Sequence, residues 1–365
     1  IFLSVLTINF FFFFSVLTKK NYKNIFLFSI FSALTCATRI VGIFIPFAFI
    51  AILFLNKNSK IDSYKFCIKT ICIYIFLFSL FLILFWPYLW EDPLTNLIYS
   101  IKIFSKYPME FLMLFDGNYI NSKYLPLSYL PIWMLITIPI TILIFFIYGN
   151  FYLFKRLLNR TFNIKDENFY NDFWRGRGEK KDFIIFMSFN IIFFYIILSN
   201  TDLYNGWRHL YFLHFFISYI ACIGLYNILL VFKKIKFLFF IILFFISLNF
   251  IQIYKFHPYQ GSFFNILAFN KDGYEVDYWG LAGVKFLKKL IDKNQNSEII
   301  NIGVASYLPL ERSMQMIDKS LRKKIRIVGQ NYLEADYIFN NNISEVNKFN
   351  NNKYKVPNDF KLIEK

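Results

Sequence analysis

The sequence predicts an all-α polytopic membrane bundle followed by a small extracytoplasmic α/β domain. Two observations carry this prediction. Hydrophobic residues make up 57% of the 365-residue chain and the mean hydropathy is +0.45, an apolar content that soluble globular domains of this length do not reach. The apolar residues also form runs of helical length that end at Tyr254, and the rest of the chain is polar. We therefore expect a transmembrane helical domain at 1–254 and an extracytoplasmic α/β tail at 255–365.

About eight transmembrane helices are expected, because a hydrocarbon core about 30 Å thick needs roughly 20 residues of helix per crossing. The apolar runs are Ile1–Thr18, Ile25–Ala37, Val41–Leu55, Phe66–Pro87, Leu127–Tyr148, Phe183–Ser199, Leu210–Phe232 and Phe237–Tyr254. The second and third runs are short. We interpret them as a hairpin of two tilted helices with Arg39 at the turn.

Lysine and arginine residues between the runs predict the orientation of the helices. The basic loops around Lys19 and Lys60 are both cytoplasmic only if the chain crosses the membrane twice between them, which the hairpin allows. The basic loop Arg156–Lys181 also falls on the cytoplasmic side. The outer-face loops are then 88–126 and 200–209, together with the tail. This pattern and an AT-rich coding composition account for the net charge of +17, so we reject a nucleic-acid partner.

The tail contains alternating helical and strand-like patterns. An amphipathic helix is predicted at Leu281–Asp292 and another helix near Leu310–Lys323. Strand-like runs are Glu298–Ala305, Lys324–Val328 and Ala335–Asn340. This alternation predicts a small α/β domain. The chain opens on Ile inside an apolar run, so we expect an N-terminally truncated fragment.

Several site classes lack their sequence signature. The four cysteines lie in or beside apolar runs without a Cys-x-x-Cys pair, and we interpret them as core residues. The sequence has no Walker loop, dinucleotide fingerprint, His-Glu-x-x-His motif or serine nucleophile elbow. These absences argue against nucleotide-driven transport and against serine or zinc hydrolases.

The candidate functional residues gather at the predicted outer helix ends, where charged groups avoid the cost of hydrocarbon. Arg208 and His209 lie in the polar and aromatic stretch Ser199–Tyr211. Arginine is suited to gripping phosphate with two parallel hydrogen bonds, whereas the alternative is a snorkelling Arg with an interfacial His. Arg39 has the same two interpretations.

Two further groups have both a functional and a structural interpretation. Glu91 and Asp92 are adjacent carboxylates suited to general-base or metal chemistry, but Asp92 before Pro93 is also a common helix start. His257 and Asp277 flank the beginning of the tail, and a structural turn is favoured there over metal binding.

These motifs together resemble the GT-C glycosyltransferases, specifically bacterial family 39 enzymes of the dolichyl-phosphate-mannose–protein mannosyltransferase group. The matching stretches are Ala37–Gly42 (ATRIVG), Trp86–Pro93 (WPYLWEDP), Tyr124–Trp133 (YLPLSYLPIW), Gly206–Tyr211 (GWRHLY), His257–Asn265 (HPYQGSFFN) and Asp277–Gly280 (DYWG). Each stretch is short, and the resemblance depends on their order and spacing over most of the chain.

The resemblance implies transfer of a sugar from a polyprenyl-phosphate-linked donor to a protein, lipid or glycan acceptor. The reaction would take place on the periplasmic face of a bacterial inner membrane, with the lipid bilayer as the other partner. The implied donor phosphate-binding residues are Arg208, His209 and Arg39. The implied cavity residues are Trp86, Tyr88, Tyr119, Trp207, His257 and Asp277.

The resemblance places the main catalytic carboxylate upstream of this chain, in a loop after the first helix. Glu91 and Asp92 are only weak candidates for that role. No metal ligand or certain cofactor is assigned, and a divalent metal stays an open alternative.

The alternative function is a non-enzymatic flippase or polysaccharide exporter. Such proteins carry polar groups near mid-membrane, often with internal symmetry. We expect the polar residues of this chain at the outer helix ends and find no repeat, which favours the enzyme. A scaffold whose tail, residues 281–365, binds partners is a third hypothesis.

Overall fold

The computed structural model describes residues 1–19, 21–55, 61–107, 109–162, 173–234, 236–275, 277, 280–295, 299–307, 310–341, 343 and 354–363. These residues are mostly helical. The helices are α1 (Phe2–Thr18), α2 (Tyr22–Thr38), α3 (Phe44–Leu55), α4 (Ile61–Phe85), α5 (Pro93–Ser105), α6 (Tyr129–Thr137), α7 (Ile140–Phe162), α8 (Arg177–Leu198), α9 (Leu213–Val231), α10 (Lys236–Lys255), α11 (Ala282–Lys293), α12 (Glu311–Gln315) and α13 (Lys319–Arg322). The strands are β1 (Leu112–Phe115), β2 (Asn118–Asn121), β3 (Ile300–Val304), β4 (Ile325–Gly329) and β5 (Tyr337–Phe339).

The chain divides into two compact units, each assembled from segments distant in sequence. The first, termed the helical unit, comprises Ile1–Pro108, Thr141–Thr201 and His209–Phe239. The second, termed the mixed unit, comprises Met109–Ile140, Asp202–Arg208 and Phe240–Lys365. The expected domains 1–254 and 255–365 are a different division of the chain and stay a prediction.

Four helical stretches among the described residues are long and apolar enough to cross a membrane: Phe66–Phe85 within α4, then α7, α8 and α9. The expectation of about eight spans is therefore not supported. Helices α1 and α2 contain 17 residues each, which gives a rise of only about 26 Å. Helix α3 is shorter still, with 12 residues. The apolar helices are nevertheless compatible with a membrane protein.

Proline divides the predicted fifth span, Leu127–Tyr148. Helix α6 ends at Thr137 and α7 begins at Ile140, because Pro139 has no N–H to donate and disfavours helical backbone in the residue before it. Helix α7 then continues through Arg156 and Arg160, which were expected in a cytoplasmic loop. Residues 163–172 of that loop, and the basic loop residues Lys20, Lys57 and Lys60, lie outside the described residues.

The predicted break between two helices at Arg39 is confirmed, whereas two membrane crossings by these helices are not supported. Arg39 ends α2 in an extended conformation, and a 3-10 turn over Ile40–Ile43 leads into α3. The rings of Phe28 and Phe49 lie 4.8 Å apart, so the two helices pack on each other. At the turn, a Cβ on Gly42 would lie 2.8 Å from the backbone of Thr35, so only glycine allows this close approach.

A polar network lies inside the helical unit, contrary to the expectation that polar residues lie at the outer helix ends. Asn9, in the middle of α1, donates to the Thr35 hydroxyl at 3.1 Å and accepts from the Ser32 hydroxyl at 3.1 Å. All three residues are fully buried. These neutral groups satisfy one another and so avoid most of the cost of burial.

Two glycines bring α7 and α9 together backbone to backbone. A Cβ on Gly149 would overlap the carbonyl oxygen of Ile220, and a Cβ on Gly224 would overlap that of Phe145. Small residues of this kind permit the closest approach of apolar helices. This contact fixes the separation of α7 and α9.

The mixed unit contains two sheets. Strands β1 and β2 form an antiparallel hairpin whose two-residue turn is Asp116-Gly117, both at positive φ, as an Asp-Gly hairpin turn requires. The second sheet is parallel in the order β4-β3-β5, and α11 packs on it. The predicted α/β pattern of the tail is confirmed, although the helix predicted near Leu310–Lys323 is two short helices, α12 and α13.

Candidate functional site

One end of the helical unit brings together two of the predicted phosphate-binding residues. Arg39 lies at the end of α2, and His209 lies in the 3-10 turn Arg208–Leu210 that precedes α9. The Arg39 Nη1 donates to the carbonyl oxygen of His209 at 2.7 Å, across 170 positions of sequence. The Arg39 guanidinium also lies 6.0 Å from the ring centre of Phe2. Within the described residues, no ion pair ties Arg39 to a carboxylate. This end is termed the Arg39 end.

Aromatic residues of the Trp86–Pro93 motif lie at the Arg39 end. Trp86 follows α4 and packs in a cluster with Ala37 and Ile40, the neighbours of Arg39 in the chain. The ring of Tyr88 lies 6.3 Å from that of Trp86, and Tyr88 is about half exposed. The structure therefore gathers Arg39, Trp86, Tyr88 and His209 at one end of one unit.

The adjacent carboxylates Glu91 and Asp92 have separate environments. Glu91 is exposed. Asp92 caps α5, because its Oδ1 accepts from the backbone N–H of Thr95 at 3.2 Å and Pro93 occupies the first helical turn. Hydrogen bonds from Thr95 lower the pKa of the Asp92 carboxyl. The geometry thus supports the interpretation of Asp92 as the residue that caps the start of α5.

At the opposite end of the helical unit, the arginines of α7 each hold a carboxylate of α8. Arg156 lies 2.9 Å from Asp182, and Arg160 lies 2.7 Å from Glu179. The hydroxyl of Tyr219 donates to Asp182 at 3.0 Å. This end is termed the paired end. Lys181, which neighbours Asp182, lies 5.6 Å from the ring of Phe14 near the end of α1, whereas Arg39 lies over Phe2 at its start.

Tyr119, Trp207 and Arg208 lie in the mixed unit. Trp207 is buried and donates from its indole N–H to the Thr137 hydroxyl at 2.9 Å. The Arg208 guanidinium lies 5.1 Å from the ring centre of Tyr204. Tyr119 is half exposed on β2, opposite Leu114 of β1. The Arg208 guanidinium therefore lies over an aromatic ring, and Trp207 is part of the core of the mixed unit.

Glu275 is a buried acid that the sequence reasoning did not single out. Its Oε1 accepts from the backbone N–H of Leu114 at 3.3 Å, and its Oε2 is buried with no hydrogen-bond partner in the described part of the chain. Burial raises the pKa of Glu275 to about 8, although the Leu114 N–H and the positive charge of Arg208 oppose the shift. The pKa of Tyr119 is raised by burial and by the charge of Glu275. The sequence signal that could have pointed to Glu275 is an acidic residue directly after Tyr274 in an aromatic segment.

His257 and Asp277 have different local roles. His257 is exposed, and its Nδ1 lies 3.0 Å from the side-chain nitrogen of Gln260. Asp277 accepts from the backbone N–H groups of Leu281 and Ala282, each at 2.8 Å, and so caps the start of α11. Burial raises the pKa of Asp277, against these two hydrogen bonds. Tyr278 and Trp279 of the same motif lie outside the described residues.

The described residues contain no group of three or more His, Cys, Asp or Glu side chains arranged to hold a metal ion. The chain matches no protein-family model, no curated protein and no solved structure. At the Arg39 end the geometry offers one arginine beside aromatic side chains, which suits an anionic ligand with an apolar portion.

Proposed function

We propose that this protein is a membrane glycosyltransferase that moves a sugar from a polyprenyl-phosphate-linked donor to an acceptor on the periplasmic face. The observation that carries the proposal is the hydrogen bond from Arg39 to the His209 carbonyl, together with the absence of any carboxylate ion pair to Arg39 among the described residues. The order of the GT-C-like motifs supports the same conclusion.

Arg39 is suited to hold the donor phosphate. Its guanidinium has five N–H donors in a planar fork. The His209 carbonyl takes one nitrogen and so orients the group, while the exposed remainder is left to bind an anion. A lipid-linked sugar is already activated, so the enzyme must hold the leaving phosphate and stabilise its developing charge. Arg208 lies in the mixed unit, and its role as a second phosphate-binding residue stays a prediction from the sequence.

The surroundings of Arg39 suit the lipid part of the donor. Trp86 and Tyr88 follow α4, and aromatic residues of this type concentrate at membrane–water boundaries. A polyprenyl phosphate has its phosphate at that boundary and its chain in the hydrocarbon. The charge of Arg39 and the aromatic residues beside it therefore support a site for such a donor.

The binding test uses undecaprenyl phosphate and the full chain in lipid nanodiscs. We expect Arg39→Gln to weaken binding about tenfold or more, because one charged hydrogen-bond donor is worth about 1.5–3 kcal/mol. Arg39→Lys keeps the charge but loses the fork and should recover only part of the affinity. Arg160→Gln is the matched control, since that arginine is held by Glu179 at the paired end. Equal binding by the Arg39→Gln and wild-type chains would remove Arg39 from the site.

The reaction test separates the enzyme from the exporter alternative. Vesicles that contain the protein and a polyprenyl-phosphate-linked sugar are assayed for released polyprenyl phosphate and for movement of the intact lipid across the bilayer. A glycosyltransferase releases the phosphate in the presence of acceptor. Movement of the intact lipid without release of phosphate would instead support the flippase or exporter hypothesis. The buried Asn9 network is neutral and does not itself provide a charged pathway for such a lipid.

A further inference from the structure

Helix α5 has three distinct faces, and two of them are exposed. Leu94, Ile98 and Ile101 recur at helical spacing and are 73%, 54% and 38% exposed. Thr95 and Lys102 lie on a second exposed face, about 90° around the helix from the apolar stripe. A helix that lay over the bundle in water would gain nothing from an apolar outer stripe of this kind.

The third face fixes α5 to the helical unit. Leu97 packs on the cluster that contains Leu82 of α4 and Leu89. The side chain of Asn96 donates to the Tyr88 carbonyl at 2.7 Å. The position of α5 at the Arg39 end is thus set by packing and by a side-chain hydrogen bond.

The end of α4 that precedes α5 in the chain also exposes apolar side chains. The last turns of α4, one of the four helices apolar enough to cross a membrane, expose Leu80 and Leu84 at 52% and 58%. Trp90, between α4 and α5, is 62% exposed and donates from its indole N–H to the Ile83 carbonyl at 2.7 Å. The connection between the two helices is therefore folded back against the end of α4, with an aromatic ring at its surface.

We propose that α5 lies in the headgroup layer of the bilayer, with Leu94, Ile98 and Ile101 facing the acyl chains. Interfacial helices have an apolar face toward the acyl boundary and basic residues on the polar face. Lys102 and Lys106, both exposed on the polar side, are placed to reach lipid phosphates. The occupant of the stripe is lipid, because α5 follows α4, a helix that is apolar enough to cross a membrane and exposes apolar side chains at its end, and because Lys102 and Lys106 lie beside the stripe on the exposed polar side.

The test places a nitroxide spin label at Ile98→Cys in the full chain, reconstituted in vesicles of phosphatidylethanolamine and phosphatidylglycerol. Cys67, Cys72 and Cys222 are replaced by alanine, and the buried Cys36 is left in place. The matched control is Thr95→Cys, on the polar face of the same helix. Both positions are exposed, so neither label disturbs the core.

We expect the Ile98 label to collide with oxygen, which concentrates in lipid, and to be shielded from a water-soluble nickel chelate. The Thr95 label should show the reverse preference, with a several-fold difference in the ratio of the two accessibilities. Equal nickel accessibility at both positions would place the stripe in water and overturn the proposal. Shielding of the Ile98 label from both reagents would also overturn it, because a protein surface would then cover the stripe.

Discussion

The two ends of the helical unit use arginine in different ways. At the paired end, Arg156 and Arg160 each hold a carboxylate of α8, at 2.9 and 2.7 Å. At the Arg39 end, the guanidinium is held by a backbone carbonyl, which orients it without neutralising it. At the paired end, the positive charges therefore join α7 to α8. At the Arg39 end, no carboxylate among the described residues neutralises the charge, as the proposed function requires, and this difference is what the following predictions test.

The largest expected effect is at the paired end. Asp182→Ala leaves Arg156 partly buried without its counter-charge and removes the acceptor of the Tyr219 hydroxyl. We expect the free energy of unfolding to fall by about 3 kcal/mol, measured by denaturant titration in detergent micelles. Asp182→Asn, which keeps an acceptor for Tyr219, should lose less. A loss below about 1 kcal/mol for Asp182→Ala would mean that the pair does not join the helices.

The second prediction concerns an acid without a comparable partner, Glu275. Its folded-state pKa of about 8 lies above the usual value for a glutamate. The folded state therefore binds the proton more tightly, and stability falls as the pH rises from about 4.5 to 8. Glu275→Gln keeps the acceptor for Leu114 and should remove this dependence, so that the variant gains stability relative to the wild type as the pH rises toward 8. Parallel pH profiles of the variant and the wild type would contradict the assignment.

A smaller effect is expected at the start of α5, near the Arg39 end. Asp92→Ala removes the side-chain cap and should destabilise that helix by about 1 kcal/mol, seen as faster amide hydrogen exchange over the first turn. Asp92→Asn retains a capping oxygen and serves as the control. If Asp92→Ala left exchange unchanged but abolished sugar transfer, the carboxylate would be a functional group after all.

The smallest change in stability is expected for Arg39→Ala. Arg39 is exposed, and its contacts among the described residues are the His209 carbonyl and the ring of Phe2, so its loss should change the free energy of unfolding by at most about 0.5 kcal/mol. Arg160→Ala, by contrast, should cost about 1 kcal/mol, because it removes a hydrogen-bonded ion pair. A large loss of stability for Arg39→Ala would show that the two ends do not differ in the way described.

The sequence predicted features that depend on local chemistry. The break at Arg39 follows from an apolar stretch that is too long for one helix and carries a charge in its middle. The α/β tail follows from strand-like runs, of which Glu298–Ala305 contains β3, and from the amphipathic pattern that became α11. In each case a few neighbouring residues determine the structure.

Features that depend on distant contacts were not predictable in this way. Glu275 accepts a hydrogen bond from Leu114 of β1, about 160 positions earlier in the chain, and its aromatic neighbours in the sequence do not identify that contact. In the sequence, Asn9 is a polar residue within an apolar run, and its place is explained only by its hydrogen bonds to Ser32 and Thr35 of α2. The expectation of eight spans was based on the length of the apolar runs alone. It therefore did not include the short rise of α1, α2 and α3 or the break in the helix before Pro139.

The glycine contact between α7 and α9 has a mechanical consequence. With no side chain between Gly149 and Gly224, a slide of one backbone along the other would push main-chain atoms into carbonyl oxygens. We expect the two helices to move as a rigid couple. Helix α7 carries Arg156 and Arg160, and α9 begins just after the residue whose carbonyl orients Arg39. A tilt of α7 and α9 together would therefore displace residues at the Arg39 end and at the paired end at the same time.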